Sequence, residues 1–298
     1  MIMRSGPASP APRPPPARGG GAVVVLAVPW IWLLLFLIAP TVIVAAIALA
    51  QPADGVPPFT LGLTLDNLAL VLTDPFYRDA LGLSLKLAAV STGICLVIGY
   101  PMALAIARAP TRWRDPLLLA VMLPFWSGFL MRLNAWIGLL RDDGLVNALL
   151  AWVGIGARHL LYTDTALYLG VVYTYLPFLV LPLYARLARR DPVLEEAAAD
   201  LGASPLGVFL RVTLPLSLPG VWAGCALVFV PAVGEYVIPE LLGGPQAQLV
   251  GRVLWGEFFQ NRDWPTAAAL AIVLLLVLVA LPALALQALR RRPARSPA

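Results

Sequence analysis

The sequence predicts an all-α polytopic membrane protein with about six transmembrane helices, and its composition is the first reason. Of its 298 residues, 60% are hydrophobic and 12% are charged, whereas a soluble domain carries about 25% charged residues. The second reason is that apolar runs recur along the chain, since about 20 apolar residues cross a bilayer core. These runs occupy most of the sequence, so we expect no separate soluble catalytic domain.

The first 80 residues are predicted to contain one helix between two polar segments. Residues 1–21 are rich in Pro, Gly and Arg and have few apolar side chains to bury, which predicts a disordered cytoplasmic arm. The apolar run after them is too long for the core of a signal peptide, so we expect an uncleaved transmembrane helix. That helix and a Pro-rich external segment make up residues 22–80.

Five further apolar runs form the core of the predicted bundle, residues 81–289, and a basic cytoplasmic tail, residues 290–298, follows. The runs cover approximately residues 81–107, 116–140, 166–187, 216–237 and 265–289. Arginines orient the bundle because cytoplasmic loops are enriched in Lys and Arg. Fourteen arginines lie on the side of both termini and the polar loop at residues 191–215, against five on the other side. We therefore expect both termini and this loop in the cytoplasm.

The polar loop between the fourth and fifth helices has a distinctive local pattern. Pro192 suits the first turn of a short helix that runs to Leu201, and three consecutive alanines favour that helix. Gly202 follows where helices commonly end in a left-handed residue. A second short helix is predicted to open near Ser204 and to run to Pro215. The general interpretation is a helix–glycine–helix connector, either a solvated amphipathic link or a docking element.

The spacing within this loop resembles the EAA loop of ABC-importer permeases. Glu196-Ala197-Ala198 is followed after three residues by Gly202, and Leu214-Pro215 closes the motif. In that family the loop docks on a cytoplasmic ATPase and carries its motion to the membrane helices. The resemblance therefore implies an ATPase-coupling role for Glu195, Glu196, Ala197, Ala198, Asp200, Gly202, Ala203, Leu214 and Pro215.

Three more stretches, residues 124–147, 173–184 and 231–244, resemble the spermidine/putrescine-type permeases, and in particular the first of the two permease subunits of such importers. One departure is Asn134, where that group commonly has Tyr beside an Ala-Trp pair. The resemblance implies the type I permease fold and import of polyamines or related amines delivered by a periplasmic binding protein. Another small solute, such as an opine, is the alternative.

Two charged residues within predicted spans are candidates for the substrate path, because charges inside a membrane usually face a bundle interior or a wet cavity. Arg132 and Glu235 each lie sixteen residues along their helices, roughly 24 Å from the cytoplasmic end at 1.5 Å per residue. They pair with each other, or Glu235 attracts a cationic substrate that nearby aromatic rings also contact. The substrate-path candidates are Trp126, Arg132, Asn134, Trp136, Tyr173, Tyr175, Glu235 and Tyr236.

Beyond Glu235 the predicted helix meets Pro239 and then Gly243-Gly244-Pro245, so we expect irregular backbone from Ile238 to Gln246. This segment is predicted to form part of an outer gate or a contact with a periplasmic receptor. The candidates for that role are Pro239, Gly243, Gly244, Glu257 and Asp263.

The sequence also weighs against other classes of function. It lacks Gly-x-x-x-x-Gly-Lys-Ser/Thr, His-Glu-x-x-His and Gly-x-Ser-x-Gly motifs, which argues against an ATPase or a membrane hydrolase. His159 is the only histidine, so we expect no metal site and no cofactor bound by this chain. A self-contained secondary transporter would leave the EAA-like loop unexplained.

The resemblance implies partners that supply the missing activities. These are a second permease subunit, two cytoplasmic ATPase subunits that use ATP and Mg²⁺, and a periplasmic substrate-binding protein. We expect the chain to contact membrane lipid, not nucleic acid, as a multi-pass protein of the bacterial inner membrane.

Overall fold

The computed structural model describes the backbone of residues 20–290 and the side chains of residues 27–279. The predicted N-terminal arm, apart from its last two residues, and the predicted basic tail, apart from Arg290, lie outside these ranges. The described helices are α1 (Gly20–Leu33), α2 (Ala39–Ala48), α3 (Asp66–Thr73), α4 (Pro75–Arg108), α5 (Thr111–Met122), α6 (Phe129–Leu140), α7 (Leu145–Trp152), α8 (Asp164–Leu187), α9 (Pro192–Asp200), α10 (Pro205–Val208), α11 (Leu214–Val233), α12 (Val237–Leu242), α13 (Val250–Trp255) and α14 (Trp264–Arg290).

The helices provide the expected set of membrane segments. Four described stretches, Ala27–Ala48, Pro75–Arg108, Asp164–Leu187 and Pro205–Val233, are long and apolar enough to cross a membrane. A bent pair, α5 with α6 and α7, makes a fifth when it is counted as one broken span. The last helix, α14, has 27 residues. The all-α polytopic fold of the prediction is confirmed, and four or five of the roughly six predicted transmembrane helices are long and apolar enough to cross a membrane within the described residues.

Three long helices, α4, α8 and α11, pack on one another and form the centre of the bundle. Their fully buried side chains include Leu179, Leu183 and Val228. Close approach of α8 and α11 depends on a small residue, as is usual between membrane helices. A Cβ at Gly224 would lie 2.9 Å from the Leu179 carbonyl oxygen, so only glycine fits this crossing without a shift of the backbone.

The first membrane segment lies at the edge of the bundle. Its outward side chains, among them Trp30, Ile31 and Trp32, are exposed, as suits a surface that contacts lipid, and α2 packs against α14. A π-helical turn, Leu34–Ile38, separates α1 from α2. Pro40 has no N–H to continue the α-helical ladder, and the Ala39 N–H bonds to the Leu34 carbonyl instead.

The third predicted helix, residues 116–140, is wrong as a single straight element. The chain forms two helical stretches, Thr111–Trp126 and Phe129–Trp152, that are bent by 88°. Pro124 lies in a 3₁₀ turn at the end of the first stretch, and Ser127 and Gly128 then adopt extended backbone angles. The estimate that Arg132 lies sixteen residues along a straight helix therefore fails.

The fifth predicted helix, residues 216–237, is also revised at both ends. Helix α10 continues into α11 through a π-helical turn, Phe209–Thr213, so the segment from Pro205 to Val233 is one helical stretch. Pro215 again follows a π turn and lacks the N–H that an unbroken ladder would need. The helix ends before Glu235, which lies in a short connection to α12.

We name the two ends of the bundle the loop end and the far end, after the segments that lie there. The loop end carries residues 191–215 and the C-terminus of α4. The far end carries the N-terminus of α4, where Asp74 caps the helix by accepting from the Phe76 N–H at 2.8 Å. A two-stranded antiparallel hairpin, β1 (Gln51–Pro52) and β2 (Phe59–Thr60), lies in the segment that leads to this end.

Candidate functional site

The loop at residues 191–215 begins and ends its first helix with local hydrogen bonds. The Asp191 carboxylate accepts from the Val193 N–H at 3.0 Å, which caps α9. At the other end Gly202 has a φ of +86°. Its N–H bonds to the Ala199 carbonyl at 2.8 Å, and the Ala203 N–H bonds to the Ala198 carbonyl at 3.1 Å. This is a Schellman motif, so the predicted glycine-ended helix is confirmed.

The second half of the loop starts with another cap. The Ser204 hydroxyl accepts from the Gly207 N–H at 3.2 Å, and Pro205 occupies the first turn of α10. Leu214 is half-buried against the core, and Pro215 is exposed at the start of α11. The loop is therefore two capped helices joined at Gly202, and the second continues into the membrane.

Glu195 anchors α9 to the rest of the loop end. Its carboxylate lies 3.0 Å from Nη1 of Arg190 and 3.3 Å from Nη2 of Arg108, the last residue of α4. The Thr213 hydroxyl also donates to it at 2.6 Å. The Arg190 contact is one of charge, without the alignment of a hydrogen bond. These contacts join α9 to α4 and to the turn that leads into α11.

The base of the loop is held by a second set of contacts. The Ser217 hydroxyl donates to the Leu214 carbonyl at 2.8 Å, which leaves the Tyr100 hydroxyl to donate to Ser217 at 2.9 Å. The Tyr100 ring meets the Phe209 ring edge-on, with centroids 5.5 Å apart. Sequence reasoning missed Tyr100 and Arg108, because they lie far from the motif along the chain. It also missed Ser217, two residues beyond Pro215, because the role of this hydroxyl depends on its contact with Tyr100.

The rest of the loop is left uncovered. Glu196 and Asp200 are exposed and form no ion pair among the described residues. Leu201, beside the glycine, is 89% exposed. Together with these three residues, the exposed apolar side chains of the loop define what we term the loop surface: Val193, Leu194, Leu206 and Leu210. Apolar side chains gathered on an exposed polar loop indicate a partner surface.

The two charged candidates for the substrate path do not pair with each other. Glu235 is buried, and its carboxylate accepts from the Tyr175 hydroxyl and from the N–H groups of Val237 and Ile238. It therefore caps α12 and ties it to α8. Helix α12 includes Pro239, so the predicted irregular backbone begins at Gly243 and not at Ile238.

Arg132 has a different environment. Its guanidinium carbon lies 5.1 Å from the Phe125 ring centroid and 5.7 Å from that of Phe129. Its Nε and Nη1 atoms are buried without a hydrogen-bond partner among the described residues. Arg132, Trp136 and Tyr173 line a cavity of about 290 Å³, and the two aromatic rings meet edge-on at 5.3 Å. Of the other candidates, Asn134 and Trp126 are exposed.

Tyr236 belongs to a separate cavity of about 280 Å³ at the far end. Its ring stacks on Trp255 with centroids 4.6 Å apart, and Glu257 lines the same space. Gly243 allows a tight turn, because a Cβ there would lie 2.6 Å from the Pro239 carbonyl oxygen. Six of the eight predicted substrate-path residues thus divide between two cavities and a buried capping site, and the other two, Trp126 and Asn134, are exposed.

The remaining outer candidates support the backbone at the far end. Asp263 accepts from the Thr266 N–H at 3.1 Å and caps α14. It also lines a larger cavity, of about 670 Å³, together with Arg262 and the hairpin residue Asp54. Gly244 packs closely on the Tyr162 carbonyl oxygen, 2.6 Å from where a Cβ would lie.

A bundle that crosses the membrane and holds a capped polar loop firmly at one end has the architecture of a transporter's membrane subunit. The chain belongs to the family of binding-protein-dependent transport system inner membrane components, whose family model matches residues 21–293. It is accordingly a permease subunit of an ABC importer.

Individual relatives agree with this assignment. The chain is 38% identical over 249 residues to the spermidine/putrescine transport system permease protein PotB of Escherichia coli K12. The aligned region covers 83% of this chain and 90% of that protein. It is 38% identical to PotB of Haemophilus influenzae over 84% of this chain and 87% of that protein. A bacterial ABC transporter that imports the acidic polysaccharide alginate has a chain of the same fold, with a TM-score of 0.68 at 22% identity, covering 92% of this chain and 97% of that one.

Proposed function

We propose that this permease subunit imports aliphatic polyamines, such as spermidine and putrescine, with energy from ATP hydrolysis by partner subunits. The spermidine/putrescine permeases that align with 83% and 84% of the chain support this substrate class. No phosphate-binding loop occurs in the sequence, so two partner ATPases bind ATP and Mg²⁺. A second permease subunit and a periplasmic binding protein complete the assembly.

The proposal that the loop couples the ATPases to the membrane helices rests on a difference between two parts of the loop, one anchored to the bundle and one exposed. Glu195 and the base contacts fix the loop to the bundle, whereas Glu196, Asp200 and Leu201 are free to meet a partner. We assign the loop surface, which includes these three residues, to the ATPase contact. Glu195 is a positioning residue for that contact. Ala197, Ala198 and Ala203 support the same contact by forming the helix and its Schellman end.

The connections of the loop explain how its motion reaches the membrane. Helix α10 continues into α11 without a break, and Glu195 joins α9 to the end of α4 through Arg108. Since α4 and α11 both pack on α8, a displacement of the loop shifts the central helices together. Closure of the ATPases then changes which end of the bundle is open to the substrate.

The charge distribution supports an orientation with the loop end in the cytoplasm. Arg108, Arg186, Arg190 and Arg211 lie at this end, and basic residues favour the cytoplasmic side of membrane proteins. In this orientation the far end faces the periplasm, where a binding protein delivers the substrate. Pro239, Gly243, Gly244 and Asp263 then shape the outer mouth.

Uptake by the reconstituted importer tests this proposal. The full chain and its partner subunits are placed in proteoliposomes with the binding protein outside and ATP inside, and labelled spermidine is counted in the lumen. We expect uptake that requires hydrolysable ATP and the binding protein and that excess putrescine competes away. Spermidine retention equal to that of vesicles with a non-hydrolysable ATP analogue would contradict the proposal.

A second candidate substrate class follows from Arg132. Two of its nitrogens are buried with no hydrogen-bond partner in the part of the chain that the structure describes, beside a cavity that contains aromatic rings. Such donors suit a carboxylate. A solute with both amine and carboxylate groups, such as an opine, would satisfy them. Competition of labelled spermidine uptake by an opine, lost in Arg132→Gln, would favour this class, whereas unchanged uptake in excess opine would exclude it.

A further inference from the structure

The far-end cavity of about 280 Å³ has a lining that the importer role does not by itself explain. It lies between the N-terminus of α4 and the segment α12–α13. Its charged lining residues are Glu240, Arg252 and Glu257, and its aromatic ones are Phe76, Tyr236 and Trp255. Charged groups and ring faces in one concave space are typical of a binding site for a small polar molecule.

Glu257 is the unusual member, because it is buried and has no cation beside it among residues 27–279. Its exposed fraction is 9%. The Tyr77 hydroxyl donates to one carboxylate oxygen at 2.9 Å, and the Asn261 amide donates to the other at 2.8 Å. Neither donor carries a charge, and Glu257 has no ion pair within the part of the chain that the structure describes. A buried carboxylate is costly unless a cation or strong donors compensate it.

Arg252 does not provide that compensation. Its Nε lies 2.8 Å from Oε2 of Glu240, and its Nη1 donates to the Gly244 carbonyl oxygen at 3.4 Å. The guanidinium is thus paired with the other carboxylate of the cavity. With two carboxylates and one arginine, the lining keeps one net negative charge, which attracts a cation of moderate size.

The aromatic rings of the cavity indicate which kind of cation it would bind. Tyr236 and Trp255 stack with an interplanar angle of 15°, and Trp255 also meets Phe259 at 4.1 Å. Trp255 is partly exposed and lines the cavity. Ring faces attract organic ammonium groups and also pack on the methylene chain beside them. A bare metal ion would gain little from such a wall.

The backbone at this point is itself specialised. Glu257 lies in a π-helical turn, Gly256–Gln260, that follows α13 directly. Unlike the π turns at Leu34–Ile38 and Phe209–Thr213, it has no proline two residues beyond its end. This turn ends the helical stretch, since the next helix, α14, begins only at Trp264.

From these observations we infer that the far-end cavity is a binding site for an alkylammonium group of the free substrate. The ammonium contacts the Glu257 carboxylate, and Trp255 and Tyr236 cover its alkyl chain. The inference rests on the importer role proposed above and adds a site on the permease that holds the amine after its receptor releases it.

Amine binding to the receptor-free importer is the direct test. The full chain with its partner subunits is purified in lipid nanodiscs and titrated with labelled putrescine, with 1,4-butanediol as an uncharged competitor of the same length. We expect saturable putrescine binding that the diol does not displace. This comparison uses the unaltered protein, so it does not depend on a variant that folds.

Variants then locate the site. We expect Glu257→Gln, which keeps the shape and removes the charge, to weaken putrescine binding about tenfold or more, the size of one hydrogen bond to a charged group. Trp255→Leu should weaken it by about two- to fivefold, from the size of a partly exposed cation–π contact. Asp54→Asn is the matched control, because it removes one negative charge from the hairpin outside this cavity, and it should leave binding unchanged.

Two outcomes would overturn the inference. One is putrescine binding that Glu257→Gln leaves intact. The other is an absence of putrescine binding in receptor-free nanodiscs while Glu257→Gln weakens receptor docking, since the carboxylate would then serve a receptor cation. If receptor-driven spermidine uptake persists in either case, only this inference fails and the importer role stands. If uptake is absent too, the proposed substrate class fails with it.

Discussion

The left-handed conformation of Gly202 leads to a prediction whose size can be worked out from the structure. Its φ is +86°, and a Cβ added there would meet no atom within 4 Å. The substitution Gly202→Ala therefore introduces backbone strain without a steric clash. A non-glycine residue in this region costs about 1–2 kcal/mol, and about 1.4 kcal/mol changes an equilibrium constant tenfold.

The chain offers a matched control for this strain. Gly154, after α7 toward the far end, has a φ of +83° and also has no atom within 4 Å of an added Cβ. Gly154→Ala should therefore cost a similar amount of stability without touching the loop. Gly202→Asn provides a rescue, because asparagine tolerates the left-handed region better than alanine does.

The assay measures spermidine uptake and ATP hydrolysis in the same proteoliposomes, at equal amounts of assembled importer. A strain of about 1–2 kcal/mol corresponds to about a fivefold to thirtyfold change in an equilibrium constant. We expect Gly202→Ala to lower uptake per ATP by about this factor, because the Schellman geometry is lost, and Gly202→Asn to recover part of it. Gly154→Ala should match the unaltered protein in this ratio. A ratio unaffected by Gly202→Ala, or lowered equally by Gly154→Ala, would refute the argument that the loop geometry couples the two activities.

Three further substitutions test contacts of the loop and the bundle. Glu195→Gln removes the charge that holds Arg108 and Arg190, so spermidine uptake should fall severalfold and α9 should be cleaved faster by a protease. An unchanged cleavage rate would exclude the anchoring role. Tyr100→Phe removes one buried hydrogen bond and should destabilise the loop base by about 1 kcal/mol, which would be measured as a lower Tm. An unaltered Tm would contradict this role of the Tyr100 hydroxyl. Gly224→Ala crowds the α8–α11 crossing and should cost about 1–3 kcal/mol of stability. Exposed Gly93→Ala, which meets no described atom within 4 Å, should keep or slightly raise the Tm, because alanine favours a helix more than glycine does. Equal Tm values for the two variants would contradict the packing argument.

Local sequence signals predicted the loop well because its structure is made by local contacts. Asp191, Pro192 and Gly202 determine the limits of α9 through hydrogen bonds and backbone preferences within a few residues. The membrane segments were predictable for a similar reason, since their apolar length is a property of the sequence itself. The observed helix ends differ from the predicted ones by several residues where a cap such as Asp74 lengthens a helix.

Contacts between helices were beyond the reach of these signals. Nothing in the sequence distinguishes the anchored Glu195 from the exposed Glu196, because the difference depends on Arg108, 87 residues away along the chain. The 88° bend after Trp126 required a 3₁₀ turn at Pro124 and extended backbone at Gly128 together, and proline alone does not break α4 at Pro101. The position of Arg132 followed from that bend and so could not be estimated from a straight helix.

Site-directed cross-linking from the loop surface tests the central claim most directly. Leu201→Cys places a thiol at an 89% exposed position beside Gly202, and Leu63→Cys places one at a 95% exposed position in the segment predicted to be external. With a short thiol-reactive cross-linker in the assembled importer, we predict that Leu201→Cys joins the chain to an ATPase subunit and that Leu63→Cys does not. Failure of Leu201→Cys to reach an ATPase, with the complex intact, would contradict the account.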